Sequence, residues 1–158
     1  MGDQDGMEWP ARASLSARLI GGVYRCRNHF WDRDAEIAGA HNLTWTQFVV
    51  LAVLRGESDG HAMSPKDIGR FAQVTTGGLS KILTLLEERG LVTRASSRSD
   101  GRSRLVKLSP KGKSLAENVF SKVCEQNEIV LHAALSDAEC EDLARLIRKL
   151  SDHLDSQV

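Results

Sequence analysis

Aromatic side chains are scarce, at 5% of the 158 residues, so a core must be built from Leu, Ile, Val and Ala. Cysteine is scarce too. Cys26, Cys124 and Cys140 are odd in number and far apart, which excludes a disulfide framework and a zinc-binding spacing; reduced thiols are expected. No apolar run approaches the roughly 18 residues that span a bilayer. The first residues carry Asp3, Asp5 and Glu8 rather than a cationic start and an apolar run, so no secretory signal is read and a cytoplasmic location is expected, with no membrane partner. Proline is limited to three positions and there is no low-complexity linker. Hydrophobic content of 41% with 27% charged residues is that of a folded domain.

Net charge is also absent, but only in sum. From Lys66 to Lys113 eleven basic residues face four acidic ones, a net of +7, while the rest holds ten basic and seventeen acidic residues, a net of −7. A basic middle between acidic ends suits a face that meets phosphates.

The helical periods and caps divide the chain. Ser14 to about Ala40 reads as a long helix with Leu15, Leu19, Val23, Phe30 and Ile37 near heptad spacing, weakened by Gly21-Gly22 and broken at His41-Asn42. Thr44 caps a second helix that stops near Gly56. Ser64-Pro65-Lys66-Asp67 starts a short third helix, with Ile68, Phe71 and Ala72 inward. Thr75 caps a fourth, in which Leu79, Ile82, Leu83 and Leu86 form a narrow apolar stripe and Gly90 ends the helix. Thr76, Gly77, Ser80, Lys81 and Thr84 are left on its outer face.

Two short strand patterns flank Asp100-Gly101, a hairpin-turn signal, giving a two-stranded ribbon with a basic tip. Ser109-Pro110 opens a long fifth helix, and Ser136 to Glu139 caps a last one whose Cys140, Leu143, Ile147, Leu150 and Leu154 recur at 3, 4, 3, 4, a seam for a partner helix. Cys124 and Cys140 are expected in core positions.

The fold expected is mainly α with a small β-hairpin wing: a winged helix-turn-helix over residues 43–112. It is flanked by dimerisation helices at 14–42 and 113–158, behind a disordered tail at 1–13. The fourth helix meets the needs of a major-groove reader, being narrow and polar outside with glycines in its first turn. Candidate contacts to double-stranded DNA are Ser64, Lys66, Thr75, Thr76, Gly77, Ser80, Lys81 and Thr84 on the helices, with Arg98, Asp100, Arg102 and Arg104 on the wing.

Residues 43–112 resemble the MarR family of bacterial transcriptional regulators. The likeness is carried by Leu43-Thr44-Trp45-Thr46-Gln47-Phe48, by Leu85 to Arg94, by Asp100-Gly101-Arg102-Ser103 and by Val106 to Gly112. It implies a homodimer on a palindromic operator, a repressor in function, with Arg102 entering the minor groove and Asp100 orienting it. Gly101 stands where the family often has a second arginine. The resemblance also implies an effector pocket between the first, second and fifth helices. There Arg27, Trp31, Trp45 and Phe48 are candidates for receiving a small aromatic or anionic effector. The urate-responsive branch has an Asp where Val49 follows Phe48, so urate is not assigned.

Two alternatives stand beside this reading. One is a winged-helix protein-interaction adaptor. The other is a redox-sensing regulator using Cys26, which lies between Arg25 and Arg27, although the oxidation-sensing branch has its cysteine where this chain has Ile20. No catalytic motif is found and no enzyme is expected; no cofactor and no metal site is expected either.

Overall fold

The computed structural model describes residues 14–57, 62–96 and 104–157. Their order is α1 (Leu15–Ala40), α2 (Trp45–Gly56), β1 (Ala62–Met63), α3 (Pro65–Ala72), α4 (Thr76–Glu88), β2 (Val92–Ser96), β3 (Arg104–Leu108), α5 (Pro110–Ala134) and α6 (Asp137–Asp155). The helix starts follow from local chemistry. Ser14, Thr44, Ser64, Thr75 and Ser109 each stand at an N-cap and accept a hydrogen bond from the backbone N–H three residues on. Thr44 and Gln47 close a reciprocal capping box. At α6 the Glu139 carboxylate accepts from both the backbone N–H and the hydroxyl of Ser136, which holds it below the usual carboxylate range.

The core lies where α2, α3, α4 and α5 meet the sheet. Leu51, Leu54, Ile68, Leu86 and Val119 are wholly buried there, and Val92 and Val106 close it from the strands. Each such side chain contributes roughly 1.5–3 kcal/mol on burial. Asn42 and Gln73 take left-handed backbone after α1 and α3, and Gly90 does so after α4, at φ +68°. Gly112 is required for a different reason. A Cβ there would sit on the backbone carbonyl of Leu91, because the first turn of α5 crosses directly over the root of β2.

Among the described residues the sheet has three strands in the order β1-β3-β2, all antiparallel, rather than the two read from sequence. Ala62 pairs with Lys107 and Met63 with Val106. Two residues are too few to show a period, so β1 gives no strand signal in the sequence. Three further expectations are corrected. Phe71 is 56% exposed, not inward; the Arg70 guanidinium lies over its ring, 4.6 Å from the centroid. Cys124 is exposed, because Val119 and Val123 define the buried side of α5 and position 124 points away from it. Cys140 is half-buried rather than core, as α6 has no buried residue.

Among the described residues one carboxyl is inside. Asp34 on α1 is 7% exposed and accepts a hydrogen bond of 3.2 Å from Asn127 Nδ2 on α5. Burial pushes this carboxyl above its ordinary value; the Asn127 hydrogen bond and the charge of Arg33 act the other way and do not outweigh it. Asn127 Oδ1 is buried and has no hydrogen-bond partner among the described residues.

Two predictions follow from these packing facts. Gly112→Ala loses roughly 3 kcal/mol or more in urea unfolding. Gly77→Ala, at a helical position with nothing within 4 Å of the added Cβ, gains about 0.5–1 kcal/mol. Equal effects would show the Gly112 crossing to be unimportant.

For Asp34, a raised folded-state value means the folded chain holds the proton more tightly. Stability is therefore lost as pH rises from the ordinary aspartate range through the raised value, and is flat above it. Asp34→Asn removes that decline and raises the urea midpoint at pH 7. A decline of the same size in the variant would contradict this.

Candidate nucleic-acid interface

The α3–α4 pair is set by two caps and a left-handed joint. Ser64 Oγ accepts from Asp67 N at 3.1 Å and donates to Asp67 Oδ2 at 2.7 Å, so its hydroxyl is engaged in the cap. Gln73, at φ 53°, turns the chain, and Thr75 Oγ1 then accepts from Gly78 N at 3.3 Å to start α4. Leu79, Leu83 and Leu86 anchor α4 on the core.

This packing turns Thr76, Gly77, Ser80, Lys81 and Thr84 outward as one exposed strip, as the stripe spacing required. The two glycines differ. A Cβ at Gly78 would press on Thr75 Oγ1 and Val74 Cγ1 at 3.2 and 3.3 Å, whereas one at Gly77 would meet nothing. Gly78 therefore has an internal reason and Gly77 has none. Lys66 is exposed at the start of α3 and borders, with Thr75, Thr76 and Ser80, a groove between α3, α4 and the sheet.

Two residues that the sequence did not single out share that groove: Arg70 and Arg94. Arg70 is held by Asp67 at 3.3 Å, and Arg94 Nε lies 3.1 Å from Glu87 Oε2. The Glu87–Arg94 pair spans a helix and a strand, so no helical or strand period reveals it. The wing candidates Arg98, Asp100 and Arg102 lie outside the described residues. Arg104 pairs its backbone with Ser96, the last pair before the segment that connects the two strands, and its side chain lies outside the described set.

The candidate effector residues are brought together at the α1–α2 corner. Trp31 and Trp45 meet edge to face with ring centroids 5.9 Å apart, and Trp45 and Phe48 lie 5.1 Å apart. The Arg27 guanidinium sits over Trp31, 4.6 Å from the centroid. Phe48 is buried and backs this cluster from the core, while Trp31 is 40% exposed. Cys26 is exposed on the same helix. Among the described residues no group of three His, Cys, Asp or Glu side chains is placed to hold a metal ion, and no single helix is long and apolar enough to cross a membrane.

Comparison with known proteins places this geometry. The family model described as MarR family matches residues 41–103. The HTH-type transcriptional regulator PapX of Escherichia coli is 30% identical over 151 residues, covering 92% of this chain and 85% of PapX. The crystal structure of wild-type apo MarR from E. coli superposes with a TM-score of 0.71 at 26% identity, over 87% of this chain and 97% of that one. A Mycobacterium tuberculosis MarR family protein, solved in complex with p-aminosalicylic acid, superposes with a TM-score of 0.69 at 29% identity, over 88% and 99% of the two chains. With caps, apolar stripe, winged sheet and chain-length likeness in agreement, this chain belongs to the MarR family of transcriptional regulators.

Proposed function

We propose that this protein is a repressor that binds a palindromic DNA operator as a homodimer and is released by a small aromatic anion. The observation that carries the reading is the outer strip of α4, where short polar side chains and one cation surround Gly77, which has open space at its Cβ position. A helix of that outline fits the major groove, where base edges are reached by short side chains. Thr76, Ser80, Lys81 and Thr84 read bases, Lys66 and the N-terminus of α4 meet phosphates, and the wing with Arg98, Arg102 and Arg104 follows the adjacent backbone.

The dimer reading rests on unpartnered apolar faces. Leu15, Leu19 and Val23 on α1 and Leu143, Ile147, Leu150 and Leu154 on α6 are 41–63% exposed. Contiguous apolar faces of this extent are the mark of an interface. Residues 14–42 and 113–158 are thus assigned to dimerisation and 43–112 to DNA. A two-fold axis then sets the two α4 helices about 34 Å apart, one turn of duplex. Effector binding is assigned to Arg27, Trp31, Trp45 and Phe48: the aromatic rings offer stacking surface, and Arg27 offers a charge partner for a carboxylate.

Selection from random duplexes tests the DNA reading. The parent chain is expected to enrich a palindrome, and Lys81→Ala to enrich one that differs at a base pair in each half-site. An identical consensus from both would remove Lys81 from base reading, and an unsymmetrical parent consensus would remove the dimer. Sedimentation tests the interface: Ile147→Glu places a charge in the α6 seam and is expected to yield a monomer at micromolar concentration. A dimer of parental stability would contradict the assignment.

A further inference from the structure

Arg94 on β2 is turned onto α4. Its Nε lies 3.1 Å from Glu87 Oε2 and its Nη2 lies 3.5 Å from Thr84 Oγ1. Thr84 Oγ1 in turn donates its own hydrogen to the backbone carbonyl of Ser80 at 3.1 Å. A hydroxyl has one hydrogen to give and two lone pairs to receive with. In Thr84 the hydrogen goes to Ser80 and one lone pair faces Arg94. What remains for the exposed side is one lone pair and the γ-methyl group.

We propose that Arg94 is a positioning residue for base recognition: it holds Thr84 so that the groove meets a hydrogen-bond acceptor and a methyl group, which together fit an A·T pair. This rests on the DNA-reading role proposed above for α4. An A·T pair presents the adenine N6 amino hydrogens and the thymine methyl on its major-groove edge. A guanine O6 or N7 at the same place would set acceptor against acceptor, and a cytosine, whose N4 amino group can donate, comes with no thymine methyl for the Thr84 methyl to meet. The alternative role for Arg94 is a direct phosphate contact. Its ion pair with Glu87 argues against that, because the carboxylate already neutralises the guanidinium and would itself repel phosphate.

The test is selection from random duplexes followed by titration at several salt concentrations. It uses the full chain, Thr84→Val, Arg94→Lys and the double variant Arg94→Met with Glu87→Gln. The double variant keeps the net charge of the parent while removing both the guanidinium and its partner. The parent is expected to enrich an A·T pair in each half-site whose preference over G·C falls about fivefold in Thr84→Val. The double variant is expected to lose the same preference at the same pair, with other positions and the salt slope unchanged. Arg94→Lys, which keeps a donor, is expected to retain part of it.

If the double variant keeps the parental preference, the inference fails while the DNA reading stands. If it binds all sequences more weakly and its salt slope falls by about one, Arg94 is a phosphate contact and the inference fails. If the Thr84-dependent pair is G·C, it fails as well. A parent chain that enriches no sequence overturns the DNA reading and this inference together.

Discussion

The fold depends on the close crossing at Gly112. Around it four hydrogen bonds converge. Ser109 Oγ shares its one hydrogen between the carbonyls of Gly90 at 2.7 Å and Leu91 at 3.1 Å, Ser109 N donates to Leu91 O at 3.0 Å, and Lys111 Nζ donates to Arg89 O at 3.0 Å. The carbonyls left free at the end of α4 and the start of β2 are thereby satisfied by the segment that begins α5. One knot thus ties the C-terminal end of α4, the root of the wing and the first turn of the longest helix of the C-terminal half. A bulkier residue than glycine separates them. The outer strip of α4 therefore has a fixed orientation relative to α5. This is the condition for a change at the α1–α5 junction to be felt at the groove-facing surface.

Much of this was legible because it is local. An N-cap is a matter of one side chain and a backbone N–H three residues on, so Thr44, Ser64, Thr75 and Ser109 announced their helices without tertiary information. The Leu79–Leu83–Leu86 stripe told which side of α4 is inside, and hence which residues face out. What stayed hidden depends on distant or very short pairings. Asp34 and Asn127 are 93 residues apart, and β1 has only two residues. Phe71 read as core from its apolar character, whereas α3 is short and Ile68 is its one buried residue. Arg94 belonged to a recognised stretch of sequence, but its contacts to Glu87 and Thr84 exist only once β2 folds back beside α4.

The two ends of the chain carry the apolar surface that the folded unit leaves uncovered, and the middle carries the positive charge. That division gives a physical sense to a net charge of zero. Positive charge is concentrated on the winged unit while the acidic flanks offset it, so the chain is locally basic though neutral in sum. The aromatic corner of Trp31, Trp45 and Phe48 lies between these two regions, at the junction of α1 and α2. Under the effector reading proposed above, a ligand there would alter the angle between α1 and the winged unit.

The most direct measurement of the central claim is a hydroxyl-radical footprint of the full chain on a duplex that it selects. Two protected patches on one face, centred about ten base pairs apart, are the predicted result for paired α4 helices in successive major grooves. A single patch, or protection spread evenly around the duplex, would contradict it.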